Sequence, residues 1–319
     1  MFHTSRKYNL PMAPSSIDLF VGAGVLFVKS FFTKGNKLVL PQSIGEYHLQ
    51  QQYEKADNTA SLAVGVYTNG GKKFLVKRWE GKWRDLNYYF LLHEFHSAKV
   101  LSAHAARLEQ VDIAVPAPVS CTQENDSLSV IFEFVEGASV ARLSLDEQAL
   151  VLERVLHVLD QISDQLTHDE KSVIGIRQPI FFVLVGTMFS VLAILANPKR
   201  IGLIFTTWRE CVTGLMGLTQ KKLALAHRDL TPDNLLKNQD TVYILDCETV
   251  ALTLPGYDLA YLSVDSQNSQ IFQLMGVERK AIVQRFLQQY IALHHILGSG
   301  SFLRTRSEYL EKLVELKKQ

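Results

Sequence analysis

Neither sign of charge predominates in the 319-residue chain: 33 Lys and Arg stand against 32 Asp and Glu. Without a basic excess there is no field to hold a phosphate backbone, which argues against nucleic acid as a partner. Cysteine is scarce too. Cys121, Cys211 and Cys247 are odd in number and widely spaced, with no C-x-x-C between them. Neither a disulfide scaffold nor a zinc ribbon is therefore expected, and a reducing, cytoplasmic compartment fits. A cleaved leader is not expected either. Arg6 and Lys7 precede an apolar stretch at 19–28, but Asp18 and Lys29 flank it and no small-residue cleavage pattern follows. What the chain does have is apolar substance. At 47% hydrophobic and 20% charged it is a folded globular protein, one large domain or two smaller ones, long enough to bury a core and hold a cleft.

Charge disappears altogether in one place. No charged side chain occurs from 178 to 198, and 180–196 is nearly all apolar. That is close to the roughly 20 residues that span a bilayer. It is also what a helix buried inside a large domain looks like, because its apolar residues go all the way round.

Along the chain, 1–40 reads as an irregular N-terminal extension punctuated by Pro11 and Pro14. Strands are expected at 60–67 and 73–79, joined by a tight turn at 68–71 containing Asn69-Gly70. A helix is expected over 87–107 and a further strand over 127–134. After 145 the pattern turns helical: 146–167, 179–196 and 201–221, the last two separated by Asn197-Pro198. A strand at 241–245 follows, and the remainder reads as helix, ending in 304–317. This predicts a strand-rich region at 41–137 and a helical one at 138–319, with an apolar helical insert at 178–221.

One constellation carries chemistry: His227-Arg228-Asp229-Leu230-Thr231-Pro232-Asp233-Asn234, then Ile244-Leu245-Asp246-Cys247-Glu248. Asp is followed by Asn five residues on, and by another Asp twelve beyond that. Phosphoryl transfer needs a carboxylate to orient an attacking hydroxyl and take its proton. It also needs an amide oxygen and a second carboxylate to hold Mg²⁺ on the phosphates. Asp229, Asn234 and Asp246 suit those three roles.

This resembles the catalytic and metal loops of the protein-kinase-like superfamily, H-R-D-x-x-x-x-N and the Asp of D-F-G. Asp-Cys-Glu replaces D-F-G, and Tyr257-Asp258-Leu259-Ala260 follows. Those features look like the aminoglycoside phosphotransferase and choline kinase branch. The resemblance, which runs over roughly 60–262, implies an α+β fold of two lobes, a small antiparallel-sheet N-lobe and a larger mainly helical C-lobe. It implies ATP and Mg²⁺ as cofactors. It casts Lys77 as the grip on the α/β-phosphates, Glu94 as its partner on the next helix, and Glu133 to Val135 as the hinge against the adenine. His227 and Asp258 would support the catalytic loop.

The sequence departs from the superfamily at three points. No G-x-G-x-x-G precedes Lys77; the candidate phosphate loop, 54–61, has no glycine. Arg228 is the residue protein kinases use to read a phosphorylated activation loop. Only eleven residues separate Asp246 from Asp258, too few for such a loop. A small-molecule acceptor is accordingly expected. A Ser/Thr-type protein kinase and a catalytically silent pseudokinase scaffold are the alternatives.

If Lys77 and Asp229 meet round one nucleotide, a single membrane crossing by 180–196 is excluded, since it would part them. A return through 201–218 would bury Arg209 and Glu210 at about 2.5 kcal/mol or more each. Burial of the apolar helix is the expectation; contact of 178–218 with the inner membrane surface is the alternative. His93-Glu94-Phe95-His96 lacks the i, i+4 spacing of a zinc helix and reads as helix surface and cleft wall. The seven acids of 146–170, set against Arg154 alone, read as a solvated face.

Overall fold

The computed structural model describes residues 12–15, 17–19, 21–22, 25, 38–53, 61–108, 112–217, 222–265, 268–281, 283–298 and 301–318. The expected phosphate loop at 54–61 lies outside these except for Ser61. Side chains are described for the same residues, apart from those of 297, 298 and 301–305.

The N-terminal lobe is a six-stranded antiparallel sheet in the order β1-β2-β3-β4-β7-β6. Its strands are β1 (Ser43–Ile44), β2 (Tyr47–Tyr53), β3 (Leu62–Asn69), β4 (Lys72–Glu80), β6 (Pro118–Glu124) and β7 (Ser127–Glu133). The β3–β4 hairpin closes on Gly70 and Gly71, both at positive φ as a two-residue turn requires. Alternation along β4 divides the sheet. Val76 packs beneath Leu40, Tyr67 and Ile131, while Trp79 faces helix α1 (Leu86–Ala105). Asp85 fixes the start of that helix: its carboxylate accepts from the backbone of Asn87 and Tyr88 and from the Trp79 indole at 2.8 Å.

Residues 134–137 lead into the C-terminal lobe. Gly137 lies so close to the strand Leu235–Asn238 that a Cβ there would stand 2.8 Å from the Lys237 carbonyl, so this crossing needs glycine. Helices α2 (Leu145–Gln165) and α3 (His168–Ile174) each begin with a reciprocal capping box, Ser144 with Glu147 and Thr167 with Glu170. The apolar pair α4 (Pro179–Ala196) and α5 (Ile201–Met216) follows. Short strands frame the polar loops: β5 (Ile113–Ala114), β8 (Ala138–Ser139), β10 (Leu235–Asn238) and β11 (Thr241–Ile244) form one sheet, and β9 (Ala224–Ala226) pairs with β12 (Ala251–Thr253). Helices α6 (Tyr257–Val264), α7 (Ser269–Leu274), α8 (Val277–Ala281), α9 (Arg285–His295) and α10 (Ser307–Lys318) complete the lobe.

Three expectations need correction. The C-terminal remainder is not helix throughout: β12 and the hairpin of β13 (Leu297–Gly298) and β14 (Ser301–Thr305) interrupt it. Helix α4 is not wholly buried. It seats Phe182, Gly186, Ser190 and Ala193 on the lobe, with Phe182 against Tyr257 and Tyr290, while Ile180, Leu184, Val191 and Leu195 are each more than half exposed. One apolar face is all that the lobe has room to cover. His93 is not on the helix surface: it is buried, its Nε2 2.7 Å from the Val250 carbonyl, and burial pushes its pKa down to about 4, leaving the ring neutral. The acids of 146–170 do behave as a solvated face. Asp160 and Asp164 pair with Arg279 and Lys222 at the surface, and Glu147 and Glu170 cap helices.

Candidate active site

A cleft of about 640 Å³ lies between the lobes. Leu75 from β4 and Phe132 from β7 line it on one side, Leu236 and Ile244 on the other, with 133–137 at its back. Lys77, Glu94, Asn234 and Asp246 all reach it. The Lys77 ammonium is one of the points where the two lobes meet, and the charged one in the cleft. It donates to Glu94 Oε1 and Oε2 at 2.7 and 2.8 Å and to Asp246 Oδ1 at 2.7 Å, spanning 169 residues of sequence. Burial alone would discharge such a lysine. Glu94 first, then Asp246 and Glu248, overcome that and hold its pKa above the ordinary value. The Lys77 and Glu94 side chains are 12% and 6% exposed and Asp246 37%, so the pair is interior while Asp246 opens to the cleft.

The loop between β9 and β10 is built by backbone bonds. Asp258, at the start of α6 and buried, accepts from the His227 and Arg228 N–H groups at 2.9 and 2.7 Å. Thr249 donates to the His227 carbonyl at 2.7 Å, and His227 Nε2 lies 2.8 Å from the Leu245 carbonyl. His227 is thus held at backbone N–H, carbonyl and ring. Arg228 takes up φ 70°, a left-handed conformation costly for a non-glycine residue. Asp246 does the same at φ 57°.

This clamp presents Asp229. Its Oδ2 accepts from the Asn234 amide at 3.0 Å and its Oδ1 from the Tyr261 hydroxyl at 2.9 Å. Burial raises the Asp229 pKa against the opposing pull of His227, Tyr261 and Asn234. The Asn234 amide nitrogen also donates to the Asp229 carbonyl at 2.8 Å, which leaves its oxygen as the atom available to a cation.

The oxygen donors suit a hard divalent ion. Glu94, Asp246 and Glu248 bring carboxylate oxygens within 4.8 Å of one another, and Asn234 shares the cleft with the first two. Of the hinge residues, Glu133 and Val135 both line the cleft, but the Glu133 N–H is engaged with the Ala117 carbonyl at 3.0 Å and is closed to a ligand. Tyr261 and Glu248 are the site residues that sequence reasoning passed over. Glu248 had a signal in the Asp-x-Glu triplet. Tyr261 had none, for nothing in its neighbourhood announces a hydroxyl aimed 32 residues back.

Residues 58–297 match the model of the phosphotransferase enzyme family. The chain belongs to that family. It is a phosphotransferase with an alcohol group as acceptor. Solved structures share its two-lobed, kinase-like fold at low identity. A thermostable variant of the aminoglycoside phosphotransferase APH(4)-Ia, in complex with AMP-PNP and hygromycin B, is 11% identical with a TM-score of 0.62, over 85% of this chain and 93% of its own. A GDP complex of the aminoglycoside 2'-phosphotransferase-IIIa is 15% identical with a TM-score of 0.59, over 92% and 96%. The spectinomycin phosphotransferase APH(9)-Ia with ADP and spectinomycin is 14% identical with a TM-score of 0.56, over 85% and 89%. No curated protein sequence matches the chain.

Proposed function

We propose that this phosphotransferase moves the γ-phosphate of ATP to a hydroxyl of a small molecule, with Mg²⁺ as cofactor and Asp229 as the base. The reading rests above all on Lys77, held inside the cleft by Glu94 of one lobe and Asp246 of the other. Asp229 orients the acceptor hydroxyl and takes its proton as the oxygen bonds to phosphorus and the bond to the ADP oxygen breaks. Asn234 holds one carboxylate oxygen of Asp229 and Tyr261 the other. Asp246 and Asn234, with Glu248 beside them, are the residues to hold Mg²⁺, which when bound supplies positive charge against the phosphate oxygens. Lys77 grips phosphate and Glu94 keeps it placed. Leu75 and Phe132 above, and Leu236 and Ile244 below, offer apolar faces to a purine, with Val135 at the hinge.

Two observations favour a small acceptor over a protein. Arg228 turns inward, its guanidinium over the Tyr257 ring at 5.4 Å and its Nη1 donating to the Thr249 carbonyl at 3.3 Å, away from any phosphorylated loop. The stretch from Asp246 to Asp258 is taken up by a 3-10 turn at Cys247–Thr249, by β12 and by the start of α6. No peptide platform fits there.

The test is ADP release with Mg-ATP and a panel of polyhydroxy acceptors, beginning with spectinomycin and hygromycin B, alongside a thermal melt. Asp229→Asn is expected to lose about 10³-fold in turnover, within the range for removal of a positioned base. It should keep the Mg-ATP-dependent melting shift, which is about 2.7 kcal/mol at 100 times the dissociation constant. Near-normal turnover in Asp229→Asn overturns the assignment.

A further inference from the structure

The exposed stripe of α4 runs Ile180, Leu184, Val191, Leu195, about 22 Å along one side of the helix at 1.5 Å per residue. Ile201 and Phe205, in the first two turns of α5, are likewise more than half exposed. An apolar surface of this extent on a soluble lobe marks something that covers it. Three features say what.

First, the charges. Between 178 and 208 the chain carries two, Lys199 and Arg200, adjacent and exposed in the turn that joins the helices; there is no acid. Second, the hydroxyls. Thr187, exposed within the stripe, donates to the Val183 carbonyl at 2.7 Å and Thr206 to the Gly202 carbonyl at 2.8 Å, so both donors are satisfied within their own helices. Third, the far limit. Arg209 and Glu210 are exposed one turn beyond Phe205, and Glu210 is tied to Lys317 and Gln289. Charge therefore returns where the apolar surface stops.

We infer that the α4–α5 hairpin docks on an anionic lipid bilayer, lying in its headgroup and acyl boundary without crossing it. Aliphatic side chains enter the acyl edge, and Lys199 and Arg200 meet lipid phosphates. Crossing is excluded by Phe182, Gly186 and Ala193, which seat the opposite face of α4 on the lobe. A second copy seated on the same stripe is the rival occupant, and light scattering tells it apart from lipid. A soluble partner would meet a patch almost without hydrogen-bonding groups, unlike an ordinary protein interface.

The experiment is co-sedimentation of the full chain with vesicles of phosphatidylcholine alone and of phosphatidylcholine containing phosphatidylglycerol, with light scattering as a measure of self-association. Binding is expected to the anionic vesicles and to be negligible on the neutral ones. Lys199→Gln with Arg200→Gln should weaken it roughly thirty-fold, two cations at about 1 kcal/mol each near such a surface. Leu184→Asp with Leu195→Asp should abolish it; the charge pair, at an exposed turn, serves if the aspartate pair melts early. Absence of binding to anionic vesicles, equal binding to both kinds, or indifference to both variants overturns the inference. So does a dimer that the aspartate pair dissolves. The inference stands apart from the catalytic reading, because none of these variants touches the cleft.

Discussion

The segment from β9 to α6 and the hairpin of α4 and α5 treat polar groups in opposite ways. Around the catalytic loop, Asp258, Thr249, Asn234 and Tyr261 each spend a side chain on fixing another residue's backbone or carboxylate. In the hairpin, Thr187 and Thr206 bond only to their own helices, and shape alone seats α4 on the lobe. The first region is specified by direction; in the second α4 is seated by volume, and α5 adds one directed contact, Glu210 with Gln289 and Lys317. A buried polar group left unpaired costs far more than a hydrogen bond gains, so the catalytic region should fail abruptly when one partner is removed, and the hairpin by degrees.

The sharpest way to break this contrast is Asp258→Ala. It strands the His227 and Arg228 N–H groups in the interior and removes the bonds that help hold Arg228 at its positive φ. The loss should be about 2–6 kcal/mol of stability, one to three for each of the two orphaned donors, together with nearly all turnover. A denaturant melt that moved by less than 1 kcal/mol, in the range of ordinary surface changes, would place Asp258 outside the clamp.

The two regions were also unequally legible. The spacing of Asp229, Asn234 and Asp246 could be read because phosphoryl chemistry needs those side-chain types at short range, and a loop can satisfy that need locally; Asp258 was suggested by the family resemblance alone. The β3–β4 hairpin and α1 could be read because alternation and periodicity are local too. What could not be read depends on contacts between distant segments. Tyr261 reaches Asp229 only because α6 lies beside the loop. The Glu133 N–H is closed only because Ala117 happens to face it. For α4 the composition was plain, but an all-round apolar helix carries no sign of which face the lobe will cover. Its exposed stripe emerges from Phe182 finding Tyr257 and Tyr290, and from Gly186 finding Trp208, none of them near in sequence.

Tyr261→Phe sharpens the comparison within the catalytic region, since it removes one hydrogen bond and little volume. The hydroxyl favours the charged form of Asp229, opposing the burial that raises its pKa. Without it the pKa rises further. If Asp229 is the base proposed above it works deprotonated, so the acid limb of the rate profile should move to higher pH, by about one to two units for a bond to a charged group worth 1.5–3 kcal/mol. Turnover well above that limb should fall less, and stability should barely change. A rate profile that stayed in place while turnover dropped would mean that Tyr261 touches the acceptor instead of tuning the base.

Gly186→Ala asks whether the hairpin answers to volume. A Cβ at this position would stand 2.4 Å from the Trp208 ring of α5 and 2.9 Å from the Tyr290 ring of α9. Both rings are held: Tyr290 is buried against Phe182, and Trp208 is packed within the same cluster. The methyl must therefore push the helices apart, at about 1–3 kcal/mol for overpacking a filled site, offset slightly by the better helix propensity of alanine. Because no polar partner is lost, the strain should be shared among neighbours and the catalytic loop should keep its geometry, so turnover at a temperature well below the melt should be near normal. If Gly186→Ala instead silenced the enzyme while leaving the melt unchanged, the hairpin would have to be counted as part of the acceptor site, and the separation of the two regions would fall.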